Sequence, residues 1–78
     1  MTVELTVVIR EGCHLCEDMV AALRSFQTEL NFTIEFRDVD SDLDLKAQYH
    51  TKVPVLLGPQ GEICHYFLDL VALKAALA

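Results

Sequence analysis

Over Thr2–Ile9 apolar and polar residues alternate, with Val3, Leu5, Val7 and Ile9 on one side and Thr2, Glu4 and Thr6 on the other. A period of two, rich in Val, Ile and Thr, predicts a β-strand. Val8 interrupts the polar side, as expected of a strand covered on both faces. Arg10-Glu11-Gly12 then forms a short loop in which Gly12 suits a tight turn. From Cys16 to about Leu30 the period changes. Met19, Leu23, Phe26 and Leu30 recur at helical spacing, with Glu17, Arg24, Gln27 and Glu29 elsewhere, and predict an amphipathic helix. Asn31 ends it. Phe32–Val39 alternates again and predicts a second strand, so the first half reads as a βαβ unit with parallel strands and a right-handed crossover.

The second half is built from shorter pieces. Ser41 before Asp42, Leu43 and Asp44 has the character of an N-cap, which predicts a short helix from Asp42 to about Tyr49. Val55–Leu57 predicts a third strand and Glu62–Phe67 a fourth. Gly58-Pro59-Gln60-Gly61 between them is a turn that makes the pair antiparallel. Asp69 is placed to cap a last helix with Leu70, Leu73 and Leu77 on one face. The order β-α-β-α-β-β-α describes an α/β domain with a mixed four-stranded sheet and helices on both faces. Phe26, Phe32, Phe36 and Phe67 are expected in its core. There are no repeats or linkers, so residues 1–78 read as one domain.

Composition narrows the function. Hydrophobic residues make up 53% and charged residues 23% of the 78, a globular profile. A net charge of −6 disfavours nucleic acid and anionic membrane surfaces as partners. The N-terminal stretch lacks the basic region of a signal peptide, and no apolar run approaches the roughly 20 residues of a membrane span. These features predict a cytoplasmic monomer whose thiols are kept reduced. Three cysteines are too few, and odd in number, for a secreted disulfide scaffold.

Cys13-His14-Leu15-Cys16 carries the chemistry. Cys13 falls where the first strand ends and the first helix begins, where unpaired N–H groups carry partial positive charge. A thiolate is stabilised there, and the thiolate is the nucleophile of thiol–disulfide exchange. Cys16, three residues on, lies on the same side and points back towards the sheet, so it is placed to close a ring with Cys13. His14, when protonated, favours the Cys13 thiolate, while Glu17 and Asp18 act the other way. Cys64, in the fourth strand, reads as a small buried hydrophobe. Two other classes of function remain open at this stage. One is a non-catalytic binding or redox-sensing module. The other is a metal site in which Cys13, His14 and Cys16 are joined by Cys64, His65 or His50.

Val53-Pro54 comes forty residues after Cys13, at the start of the third strand. Proline cannot donate to a ladder. A cis bond there would leave the Val53 backbone free to pair with an extended substrate, and local sequence leaves cis and trans equally open. With this element the chain resembles a glutaredoxin-like member of the thioredoxin superfamily over essentially its whole length, on the strength of Gly12-Cys13-His14-Leu15-Cys16 and Val53-Pro54-Val55. The resemblance implies a minimal thioredoxin fold and a disulfide oxidoreductase with Cys13 as nucleophile and Cys16 as resolving cysteine. It also implies a cis Pro54, a Val53 backbone offered to substrate, and Arg10 as a basic contact for glutathione. No cofactor is implied; glutathione enters as a candidate co-substrate. The chain departs from the pattern by His14-Leu15 in place of Pro-Tyr and by Lys52 in place of Thr. The Gly-Gly turn and acidic pair that hold glutathione are also missing, since Cys64-His65-Tyr66-Phe67-Leu68-Asp69 stands there and only Asp69 could substitute. The expected partners are therefore a disulfide-containing protein or a small thiol, together with a cellular reductant.

Overall fold

A computed structural model describes residues 2–78. Its elements are β1 (Val3–Ile9), α1 (His14–Leu30), β2 (Phe32–Asp38), a single 3-10 turn (Val39–Ser41), α2 (Leu43–Tyr49), β3 (Val55–Gly58), β4 (Gly61–His65) and α3 (Leu70–Leu77). The sheet order is β2-β1-β3-β4. β1 runs parallel to β2, and the β1–β3 and β3–β4 pairs are antiparallel. This is the mixed sheet of a minimal thioredoxin fold, and it places β1, with the dithiol loop at its end, in the interior of the sheet.

Alternation along β1 and β3 sorts their side chains onto two faces. Leu5 and Val7 of β1 and Leu56 of β3 join Met19 and Leu23 of α1, Phe32 of β2 and Leu73 of α3 in the larger core. On the opposite face Val8, Val55 and Val39 form a smaller core, against which Leu45 and Tyr49 of α2 pack. Val8 thus interrupts the polar side of β1 because α2 covers that position. β2 is an edge strand: Phe32 and Ile34 meet the larger core, while Thr33 and Arg37 stay exposed.

Local signals account for the boundaries. Asn31 takes the left-handed conformation at φ 56°, and its N–H donates to the Gln27 carbonyl, closing α1. Gly12, at φ 76°, makes the turn out of β1 in a conformation that costs other residues more. Besides shifts of one residue at the ends of β1, β3 and β4, three boundaries differ from the sequence pattern for a physical reason. The cap of α2 is Asp42, whose carboxylate accepts from the N–H groups of Asp44 and Leu45; the Ser41 hydroxyl donates instead to the Asp38 carbonyl, inside the 3-10 turn. That same turn ends β2 at Asp38. β4 stops at His65 because Tyr66 turns to φ 65°, outside the extended region. Asp69 caps α3, as its position predicts.

Two aromatic residues also differ from expectation. Phe67, beyond the end of β4, is 68% exposed, and Phe36, towards the open end of β2, is 43% exposed. Period-two alternation predicts both in the core, but Phe67 lies beyond the end of β4 and Phe36 borders an open groove beside α1. The buried positions carry the stability. Leu23→Ala is expected to cost about 2–5 kcal/mol, a large share for a chain of this size. Leu43→Ala, at a residue 86% exposed, is expected to stay within about 0.5 kcal/mol. Urea unfolding of the two variants checks the difference.

Candidate functional site

The strand-to-helix junction holds the dithiol. Cys13 is the N-cap of α1 in extended conformation, and its Sγ accepts the backbone N–H of Cys16 at 3.1 Å. Its carbonyl accepts the first helical bond, from Glu17 N–H at 3.1 Å. A sulfur thus sits where Ser or Asp oxygens ordinarily cap helices, facing the positive end of the helix dipole. The Sγ atoms of Cys13 and Cys16 are at disulfide distance, with Cα atoms 5.2 Å apart. Cys13 is half-exposed and Cys16 only 3% exposed, because α1 turns Cys16 towards the larger core. One sulfur meets solvent and the other is sheltered behind it.

The neighbours of Cys13 are charged. His14 lies fully on the surface, with Nδ1 3.7 Å from the Glu17 carboxylate. Arg10, before Gly12, is engaged elsewhere: Nε and Nη2 donate to the two Asp40 oxygens at 3.0 and 3.1 Å, and Nη1 to the His50 carbonyl at 3.2 Å. It therefore ties the loop after β1 to the 3-10 turn and to the end of α2. The hydrogen bond from Arg10 holds the Asp40 carboxyl below its ordinary range, and the same contact raises the Arg10 guanidinium.

The Val53-Pro54 bond is cis, and Pro54 is buried. The β1–β3 ladder begins at Val55, so Val53 lies outside it and half-exposed. Tyr66, to which the sequence assigned no role, braces this segment. Its N–H donates to the Pro54 carbonyl at 2.9 Å and its hydroxyl to the Thr51 carbonyl at 2.7 Å. The local pattern counts Tyr66 within the fourth strand and gives no signal of this role; the contact spans fifteen residues of sequence. Among the described residues no three His, Cys, Asp or Glu side chains gather as a metal site. Cys64 packs against the larger core, half-buried, and desolvation pushes its thiol up.

A groove of about 510 Å³ opens beside the disulfide, between the start of α1 and the end of β2. Cys13, Cys16, Val20, Arg24 and Phe36 line it. Sequence reading took Arg24 for an ordinary polar-face residue and Phe36 for core, since their approach depends on how α1 lies across the sheet.

Two outcomes follow. Cys64 should be alkylated by iodoacetamide more slowly than a free cysteine peptide at neutral pH, gaining rate only at more alkaline pH than the peptide does; mass spectrometry of the oxidised protein reads this out. Asp40 bears on acid stability. A carboxylate held below its unfolded value stabilises the fold above that value, and the contribution is lost as pH falls through the folded one. The difference in Tm between wild type and Asp40→Asn should therefore be present near neutrality and vanish as pH drops well below 3.8.

Comparison with known proteins agrees with this geometry. The solution structure of protein Ne2328 from Nitrosomonas europaea matches with TM-score 0.91 and 41% identity, over 100% of this chain and 94% of that one. The X-ray structure of protein XcR50 from X. campestris matches with TM-score 0.70 and 34% identity, over 91% of each chain. A malarial protein, at 16% identity and TM-score 0.67 over the full length of both chains, shares the fold. None of the curated proteins matches the chain. Residues 4–78 match the family described as Glutaredoxin-like domain (DUF836). With that match over nearly its whole length, and a Cys-x-x-Cys pair at the head of α1, the chain belongs to this glutaredoxin-like family of the thioredoxin superfamily.

Proposed function

We propose that the protein is a thiol–disulfide oxidoreductase acting on protein disulfides, with Cys13 as nucleophile and Cys16 as resolving cysteine. The observation that carries this reading is the Cys13 Sγ in the N-cap position of α1, half-exposed, with buried Cys16 at bonding distance behind it. A negative charge on Cys13 is favoured by the Cys16 N–H and by the helix dipole, and no rearrangement of the backbone is needed to supply them.

In the reducing direction the Cys13 thiolate attacks one sulfur of a target disulfide. The target S–S bond breaks, the departing target sulfur takes a proton, and a mixed disulfide joins Cys13 to the target. Cys16 then gives up its proton and attacks the Cys13 Sγ. The mixed disulfide breaks, and the second target sulfur leaves and is protonated. Two electrons and two protons pass from the dithiol to the target. A cellular thiol reductant, in the cytoplasm, restores the pair.

The surroundings favour a polypeptide substrate. The half-exposed Val53 backbone, outside the ladder and braced by Tyr66, is suited to pair with an extended chain. His14, exposed beside Cys13, lies with Glu17 on the side from which the substrate sulfur approaches. Arg10 has its donors directed at Asp40 and the His50 carbonyl, and Cys64-His65-Tyr66-Phe67-Leu68-Asp69 stands where the resemblance expects the Gly-Gly turn. In this reading Arg10 braces the loop carrying Cys13, and glutathione is a poorer co-substrate than a peptide. The protein works as a monomer, without nucleic acid or membrane.

Turnover of a disulfide-linked fluorogenic peptide should fall to the uncatalysed background in Cys13→Ser. Cys16→Ser should keep the first step and accumulate a mixed disulfide detectable by mass spectrometry. A glutathione adduct of the same peptide should turn over more slowly than the peptide disulfide. Full activity in Cys13→Ser would remove the proposal.

A further inference from the structure

We infer that the groove beside the disulfide is a substrate subsite. It receives the stretch of polypeptide next to the target cysteine and selects an apolar side chain followed by a carboxylate. The inference rests on the exchange reaction proposed above and specifies which sequences that reaction favours.

The groove has a direction. At one end are the Sγ atoms of Cys13 and Cys16, flanked by Glu17, which is 75% exposed. Its floor is apolar, made by Ile9, Val20, Ala21 and Phe36. Phe36 is the open end of a graded row on β2: Phe32 is 2% exposed, Ile34 is partly buried, and Phe36 is 43% exposed. Ala21 of α1, small and exposed, lines the same groove. At the far end the Arg24 guanidinium stands over the Phe36 ring, 5.5 Å from its centroid. Arg10 and Arg37 hold the carboxylates of Asp40 and Glu35, whereas among the described residues Arg24 makes no ion pair. In a chain of net charge −6 this is a cation left open at the end of an apolar trough. Stacked on an aromatic ring, a guanidinium still has its in-plane N–H groups free for a bidentate carboxylate.

Helix geometry gives the spacing. Arg24 is eleven residues beyond Cys13, about 16 Å along α1 at about 1.5 Å per residue. Its side chain leans back towards the helix N-terminus. An extended peptide advances about 3.3 Å per residue. A carboxylate about three to five residues from the target cysteine therefore reaches Arg24, with an apolar side chain between them against the Val20 and Ala21 side of the groove, beside Phe36. Glu17 makes the region next to the cysteine unfavourable for a second acidic residue.

The test compares two peptides, Cys-Ala-Phe-Ala-Glu and Cys-Ala-Phe-Ala-Lys, as reductants of the oxidised protein. Two peptide thiols reduce one Cys13–Cys16 disulfide and leave as a peptide disulfide. Samples are quenched with an alkylating agent and weighed by mass spectrometry. The ratio of Glu-peptide to Lys-peptide rate should be about two- to fivefold higher in wild type than in Arg24→Gln, the size of one exposed charge pair, and the excess should shrink in high salt. Lys74→Gln, which removes a cation on α3, should keep the wild-type ratio. An equal ratio in wild type and Arg24→Gln, or the same change in Lys74→Gln, overturns the subsite. Dithiothreitol separates the two ideas. If it reduces the disulfide readily and the peptide ratio does not respond to Arg24, the subsite alone fails. If neither dithiothreitol nor peptide reacts, the exchange reaction fails and the subsite with it.

Discussion

The site depends on a sulfur acting as a helix cap. Cys13 Sγ accepts the Cys16 N–H, a donor that every α-helix leaves unsatisfied in its first turn. The bond does two things at once. It starts α1 at His14, directly after the turn at Gly12, and it holds the reactive atom where negative charge is favoured. A serine in that position would cap as well and react not at all. A cysteine one turn further along would be shielded like Cys16. The fold and the chemistry therefore share a single contact at the end of β1.

The rest of the molecule keeps that junction in place from both faces of the sheet. On one face α1 is anchored through Met19 and Leu23 to Leu5, Val7 and Leu56, which fixes its axis and so the position of its first turn. On the other, Val8 and Val55 pack with Val39 beneath α2. Arg10 then links the loop after β1 to Asp40 and to the end of α2, so the segment carrying Cys13 is tied to both layers. Opposite, Tyr66 ties the end of β4 to Thr51 and Pro54 through two hydrogen bonds. Long-range polar contacts of this kind set the loops around the site, while apolar burial sets the elements that carry them.

Much of this was legible in the chain alone. Strands and helices have different periods, and β1, α1 and β2 are long enough for the periods to be unmistakable. Asp69 and Asn31 mark helix ends because their short polar side chains or left-handed tolerance act within one turn. The dithiol was legible for the same reason: its position between a period-two and a period-3.6 segment is a local fact. Asp42 displaced Ser41 as the cap of α2 because a 3-10 turn, which no periodicity announces, took the serine first.

What tertiary structure decided are the contacts between residues far apart in sequence. Phe36 and Phe67 alternate like core residues, but burial depends on what the neighbouring layers bring over them: Phe67 lies beyond the end of β4, and Phe36 meets α1 through the Arg24 side chain at the edge of an open groove. Arg24 meets Phe36 only because α1 crosses β2 near that ring. Arg10 finds Asp40 across thirty residues, and Tyr66 finds Thr51 across fifteen. The sequence by itself determined the elements, their order and the reactive pair, since these follow from backbone geometry over a few residues. The groove, the braces and the exposed aromatics follow from how the layers stack, which no local period encodes.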